Sequence, residues 1–248
     1  MSLSDDIKTL NRAIEDSSNI VFFGGAGVST ESGIPDFRSA DGIYSTLYGE
    51  LDPEQILSAS FFETEPLLFY DFYRSKMIHN EAKPNFAHRY LNVLEKQGKL
   101  KAIITQNIDG LHQEAGSRNV IELHGSIKKN YCQRCKKSYP LSYIIEADGV
   151  PTCSCKGIVR PDVVLYEEQL DTAKINSAIE AIKNARTLII AGTSLNVYPA
   201  ASLVRYYEGN ELIIINLSPT NDDYRANLVI REKIGEVFQM IQDMKKIS

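Results

Sequence analysis

Leu3, Ile7, Leu10 and Ile14 recur at helical spacing, which predicts an N-terminal helix behind Ser4 with Asp5 and Asp6 complementing its first-turn dipole. The period then changes. Residues 19–30 read NIVFFGGAGVST: a short apolar run, a glycine-rich turn and a helix start. Further short apolar runs fall at 102–105, 163–166, 187–191 and 212–216. Between them, Ile175, Ala178, Ile179 and Ile182 are spaced as a helix, as are residues 200–207. Ile234, Val237, Phe238 and Ile241 predict a closing helix at i, i+3, i+4, i+7. Runs that are apolar at every position are buried on both faces. Their alternation with helices predicts an α/β fold with a mostly parallel sheet covered on both sides. No internal repeat or low-complexity linker interrupts the pattern.

Two stretches depart from this alternation. Residues 39–85 are rich in aromatics at helical spacing (Tyr44, Tyr48, Phe61, Phe62, Phe69, Tyr70, Phe72, Tyr73), and residues 125–159 hold every cysteine. Both read as insertions that, packed together, would form a second small domain, with the aromatic stripe as its core.

Composition narrows the class. The 248 residues include 27 basic and 32 acidic side chains, a formal charge of −5, with 43% hydrophobic and 24% charged residues. That balance fits a globular domain and argues against disorder. Mild acidity argues against nucleic acid as the main partner. No apolar run approaches the roughly 18 residues of a membrane helix, and MSLSDDIKTL lacks the basic, then apolar, pattern of a signal peptide. A cytoplasmic protein, and a monomer, is expected.

Four segments carry candidate chemistry. Gly24, Gly25 and Gly27 form the turn after the first strand, where backbone N–H groups can approach a pyrophosphate, although such turns also serve packing alone. The spacing departs from G-x-G-x-x-G, and no acidic strand end follows about twenty residues on, so a dinucleotide dehydrogenase fits poorly. GIPDFRS sets Asp36, Phe37 and Arg38 near this turn, the arginine able to clamp a phosphate and the phenylalanine to cover a planar ring. TQNID places Gln106, Asn107, Ile108 and Asp109 after an apolar strand, at the end where parallel sheets hold ligand groups. His124 lies at the junction with the cysteine insertion, where a cleft is expected, whereas His79, His88 and His112 read as structural or solvated. Cys132, Cys135, Cys153 and Cys155 form C-x2-C and C-x-C pairs, which suit a closed tetrahedral zinc site better than free thiols or disulfides. GTSLNVYPA repeats the strand, glycine, hydroxyl theme with Gly192, Thr193 and Ser194. Asn216 ends the LIII strand, where loop chemistry is an equally good account.

Together these segments resemble the sirtuins, the NAD-dependent protein lysine deacylases, of bacterial type. The resemblance rests on GAGVSTESGIPDFR, TQNIDGLH, LHG, the paired cysteines, RPDVVLYEE, GTSLNVYPA and the IINL strand end, in the family's order over nearly the whole chain. It implies a Rossmann-like NAD-binding domain, here residues 1–34, 86–124 and 160–248. It also implies a smaller domain built from a helical module at 35–85 and a zinc module at 125–159. NAD is a consumed co-substrate in this family. The products are nicotinamide, deacylated lysine and O-acyl-ADP-ribose.

Carried over residue by residue, the resemblance implies that His124 is the general base. Asn107 and Asp109, with Gln106 and Ile108 beside them, would hold the ribose and nicotinamide amide. Gly25, Ala26, Gly27, Thr30, Asp36, Phe37 and Arg38 would line the reactive end of NAD. Gly192, Thr193, Ser194, Asn216 and Ile234 would hold its phosphates and adenosine half. Val163, Val164 and Tyr166 would pair with the substrate peptide as an added strand.

Two positions depart from the family pattern. Glu167 stands where a glycine is usual beside the peptide groove, and is expected to alter sequence preference or turn geometry. Members that favour succinyl or malonyl lysine carry a tyrosine and, three residues on, an arginine. Here Tyr73 is followed by Lys76, a point charge without the bidentate fork, so deacetylation is expected first. An ADP-ribosyltransferase or an NAD hydrolase on the same fold is the alternative, and a non-catalytic binding module a third reading.

Overall fold

The computed structural model describes residues 2–37, 42–43 and 48–247. Its main sheet has strands β1 (Ile20–Gly24), β2 (Leu100–Thr105) and β3 (Val120–Glu122) on one side. A second, three-stranded sheet follows, of β4 (Gly125–Cys132), β5 (Ser138–Tyr139) and β6 (Val159–Val163). The chain returns to the main sheet with β7 (Thr187–Ala191), β8 (Glu211–Ile215) and β9 (Leu228–Ile230). The order in the large sheet is β3-β2-β1-β7-β8-β9, with every pairing parallel. Successive strands thus step outward in one direction and then, from β7, in the other. The reversal falls between β1 and β7, so a crevice opens at their carboxyl ends, as in Rossmann-like sheets.

The all-apolar strands explain the two layers. Ile20 and Phe22 of β1 face helices α1 (Leu3–Asp16), α5 (Phe86–Lys96) and α9 (Ile234–Ile247), while Val21 and Phe23 face α8 (Thr172–Asn184) and the 3-10 stretch Ala200–Tyr206. Helix α1 starts two residues earlier than the sequence suggests. Its cap is Ser2, whose hydroxyl oxygen accepts from the Asp5 N–H at 3.3 Å, rather than Ser4.

The run at 163–166 is not a strand of the parallel sheet. Strand β6 ends at Val163 and pairs antiparallel with β4, so it crosses the expected boundary at residue 160 in company with the zinc module. Arg160, Pro161 and Asp162 hid it, because a strand of a small sheet needs no continuous apolar run.

The two insertions share one core. Helices α2 (Pro53–Ile56), α3 (Ala59–Thr64) and α4 (Pro66–Phe72) contribute Ile56, Phe62, Phe69 and Phe72. These pack on Ile127, Val159 and Val163 of the small sheet and on Leu141 and Ile144 of α7 (Leu141–Glu146). The Tyr70 hydroxyl donates to the Val159 carbonyl at 2.5 Å, tying the modules together through a buried polar contact. The aromatic stripe is therefore core, as expected; Tyr44 lies outside the described residues.

Candidate active site

The glycines after β1 are required by close approach. The turn does not open a regular helix, as the sequence suggested, but two 3-10 turns, Ala26–Val28 and Thr30–Ser32. It packs directly on the turn after β7. The N–H groups of Gly25 and Gly27 donate to the Ala191 and Gly192 carbonyls at 3.1 and 2.8 Å. A Cβ on Gly27 would stand 2.7 Å from the Gly192 Cα, so any side chain would push the turns apart. Gly192 itself has φ +59. Two turns in contact at the strand-order reversal form the floor of a cleft of about 610 Å³, a size suited to a small-molecule ligand.

The loop after β2 supplies the polar wall. Asp109 is half-buried; desolvation pushes its carboxyl up, while the Leu111 N–H at 2.8 Å and the Ser29 hydroxyl at 2.7 Å hold it down. Asn107 Nδ2 donates to the same serine oxygen at 3.1 Å. Ser29, 1% exposed, therefore joins Asn107 to Asp109. Nothing in the sequence singles it out, because serine is ordinary in a glycine turn. Gln106 Nε2 donates to Thr193 Oγ1 at 3.1 Å and so bridges the β2 and β7 loops.

His124 follows β3 and lines the cleft. Its Nδ1 lies 2.9 Å from the Gln106 carbonyl oxygen. A carbonyl only accepts, so Nδ1 carries the proton and Nε2 keeps its lone pair. Burial pushes the imidazole below its ordinary value, partly opposed by that hydrogen bond. The ring is thus a neutral base at neutral pH. Gly125 follows with φ +80, where a Cβ would meet the Asp162 carbonyl oxygen at 2.0 Å; only glycine lets β4 start against β6 here. The Val164 N–H donates to the His124 carbonyl at 2.9 Å, setting the end of β6 beside the histidine.

All described residues singled out for the reaction line this one cleft. Ala26, Thr30, Asp36 and Phe37 flank the β1 turn, and Ile108 lies next to Asn107. Ser194 follows Thr193, Asn216 follows β8 and Ile234 opens α9. Val163, Val164 and Tyr166 form the opposite wall with Tyr73 and Lys76. Tyr73 is wholly buried, its ring stacked on Phe69, and Lys76 is exposed. Arg38 lies outside the described residues. Beyond Ser29, the sequence reading also missed Glu232 and Lys233, which line the cleft just after the three-residue strand β9. His88 and His112 are buried away from the cleft, their rings 4.7 Å apart, in keeping with a structural role.

Glu167 has a left-handed backbone, with φ 75, a conformation that favours glycine. Its carboxylate accepts from the Ser60 N–H and hydroxyl, both at 2.9 Å, which offsets the conformational cost and fastens the groove to α3. On the far side of the cleft, Glu31 accepts from the Gly235 N–H at 2.7 Å and anchors the first turn of α9.

The four cysteines meet at the ends of β4 and β6. Their sulfurs all lie within 4.8 Å of one another, with Cys132 to Cys155 at 3.4 Å and Cys135 to Cys153 at 3.5 Å. Tetrahedral Zn–S bonds of about 2.3 Å require S···S edges of about 3.8 Å. No pair is disulfide-bonded. The tight C-x-C spacing is therefore compatible with one closed zinc site that uses all four thiolates.

Comparison with known proteins agrees with this geometry. Residues 25–199 match the model of the Sir2 family. The NAD-dependent protein deacetylases of Clostridium acetobutylicum and Clostridium perfringens are 56% and 57% identical to this chain over 244 residues, covering 97% of it and 100% of each relative. A solved Sir2 structure with a p53 peptide and NAD+ superimposes with a TM-score of 0.86 at 38% identity, covering 98% of this chain and 99% of that one. Another, a Sir2 variant with a deacetylated p53 peptide and 3′-O-acetyl-ADP-ribose, gives 0.88 at 39% identity with the same coverage. A cleft at the strand-order reversal, a half-buried histidine of fixed tautomer and a four-cysteine site accompany this likeness over nearly the whole chain, which belongs to the Sir2 family.

Proposed function

We propose that this protein is an NAD-dependent protein lysine deacetylase, with other acyl-lysines as further substrates, that releases nicotinamide, deacylated lysine and O-acyl-ADP-ribose. The observation that carries the reading is the contact of His124 with the Gln106 carbonyl, which leaves a neutral imidazole with a basic Nε2 in the cleft. Bound NAD supplies the ADP-ribosyl group that accepts the acyl chain. His124 takes the proton from a ribose hydroxyl, a role suited to a base that titrates below neutrality. Asn107, Asp109 and Gln106, braced by Ser29 and Thr193, hold the ribose and the nicotinamide amide. Ala26, Thr30, Asp36, Phe37 and Arg38 line that reactive end. The hydroxyls of Thr193 and Ser194 beside Gly192 donate to phosphates, and Asn216 and Ile234 flank the adenosine half.

The peptide backbone adds as a strand along Val163, Val164 and Tyr166, with Tyr73 and Lys76 facing the acyl end. Residues 1–34 and 86–124 and the chain after β6 serve as the NAD-binding domain; 35–85 and 125–159, joined by β6, form the small domain, whose cysteines hold zinc as a structural ion. The solved Sir2 structures with p53 peptides support peptide and protein substrates. Among the described residues no helix is long and apolar enough to cross a membrane. The protein acts as a cytoplasmic monomer, with neither membrane nor nucleic acid as partner.

Mass spectrometry of the purified protein with NAD and matched acetyl-, succinyl- and longer-acyl-lysine peptides tests this reading. Deacylated peptide with equimolar O-acyl-ADP-ribose is expected, highest for acetyl. Nicotinamide release without deacylation would replace the reading with NAD hydrolysis or ADP-ribosyl transfer.

A further inference from the structure

The zinc module carries a charge opposite to that of the rest of the chain. Residues 125–159 hold six basic side chains and two acidic ones, in a protein whose formal charge is −5. Lys128, Lys129, Arg134, Lys136, Lys137 and Lys156 are all exposed. Lys129 pairs with Glu122 at 3.3 Å; among the described residues the other five have no carboxylate within 4.0 Å.

Four of these cations converge on the two cysteine turns. The Lys136 N–H donates to the Cys132 carbonyl at 2.9 Å and the Lys156 N–H to the Cys153 carbonyl at 2.8 Å, so each lysine closes one turn. Arg134 Nη1 donates to the Cys155 carbonyl at 2.8 Å and bridges the two turns. The Lys136 and Lys137 ammonium groups lie 5.3 and 5.4 Å from the Tyr131 and Tyr139 ring centres, which orders both.

Both turn-closing lysines are left-handed, with φ 61 and 65. Glycine takes that conformation without cost, whereas a side chain with a Cβ does not. Among the described residues neither ammonium group donates a hydrogen bond within the chain. Both cysteine turns therefore bear backbone strain at a position that carries an exposed lysine.

We infer that this tip is an exosite for an acidic stretch of the protein substrate. The inference rests on the deacetylase reading of the cleft. Strands β4 and β6 connect the two places: Cys132 pairs with Val159 at the tip, and Gly125, next to His124, pairs with Val163 at the groove. The four residue steps of β6 span about 13 Å, which an extended substrate covers in about four residues. Acidic side chains are disfavoured beside the peptide groove, where Glu167 lines the cleft (Glu168 there is paired with Arg160), and are attracted farther along. A short acidic protein segment fits a local cationic tip on an acidic molecule better than a nucleic acid, whose long phosphate run would meet the negative remainder.

The test compares two acetyl-lysine peptides, alike except for an acidic or a neutral serine-rich extension, at low salt and near 0.5 M salt. It uses the wild-type chain, a Lys136→Gly/Lys156→Gly variant and a Lys137→Gln/Arg134→Gln variant. Binding of a labelled acidic peptide without lysine is followed by fluorescence anisotropy, and zinc content is checked in each protein. At low salt the wild type is expected to show a KM about tenfold lower for the acidic peptide, an advantage lost at high salt. Both variants should lose that advantage and the anisotropy signal while turning over the neutral peptide as before. The glycine variant should also melt at the same or a higher temperature, since strain is relieved. Equal KM values for the two peptides in the wild type would overturn the exosite, as would an advantage that survives both variants. Retention of duplex DNA by the tip without any peptide preference would overturn it in favour of nucleic acid. Absence of neutral-peptide turnover in the wild type would count against the deacetylase reading instead, with anisotropy still reporting on the tip.

Discussion

His124 Nδ1 sits 2.9 Å from the carbonyl oxygen of Gln106, a residue whose own side chain reaches across to Thr193. One loop thus both selects the imidazole tautomer and joins the two halves of the sheet at the cleft.

His124→Ala is expected to lower deacetylation about 100- to 10,000-fold, the usual value of a general base, while NAD binding by calorimetry persists. The base works only when neutral, and burial depresses its pKa from 6.5. The rate should therefore be flat through neutral pH and fall on acidification, with a midpoint below 6.5. A pH profile of kcat with a midpoint above 6.5, or retained turnover in the variant, would remove His124 from this role.

Ser29→Ala leaves the half-buried Asp109 with one donor fewer and uncouples it from Asn107. Removing such a contact costs about 1–3 kcal/mol. Nicotinamide release is expected to slow roughly 10- to 100-fold with little change in peptide KM. A variant of wild-type activity would show that Asn107 and Asp109 hold their places unaided.

Zinc removal should unfold the small domain, because Cys132 and Cys153 belong to the core that also holds Phe62, Phe69 and Val159. Metal analysis is expected to give about one zinc per chain, and the melting curve should shift down after chelation. An unchanged curve after verified metal loss would argue against a structural ion.

Lys76 is exposed at the cleft near the buried Tyr73. Lys76→Ala should leave deacetylation within about twofold and reduce any desuccinylation several-fold, as loss of one solvated charge implies. Competition between the two peptides measures the ratio directly; equal loss of both would refute a selective acyl contact.

The parallel sheet was legible because its central strands are apolar at every position, as in residues 20–23 and 212–215. Strands β3 and β9 were not, since three residues carry no readable period. The cleft was legible where motifs name it, at TQNID and GTS. It was illegible where a common residue gains its role from a partner far along the chain, as Ser29 does from Asp109. Glu167 lies beside the cleft, where the sequence places it. Its compensation by Ser60, more than a hundred positions earlier, exists only in the folded chain.

Glu31 and Gly235 touch across 204 positions of sequence. The last helix can therefore dock on the first glycine turn only after β9 has been made. A fragment ending before β9 lacks Glu232, Lys233 and Ile234 and so one side of the cleft, and is expected to bind NAD weakly.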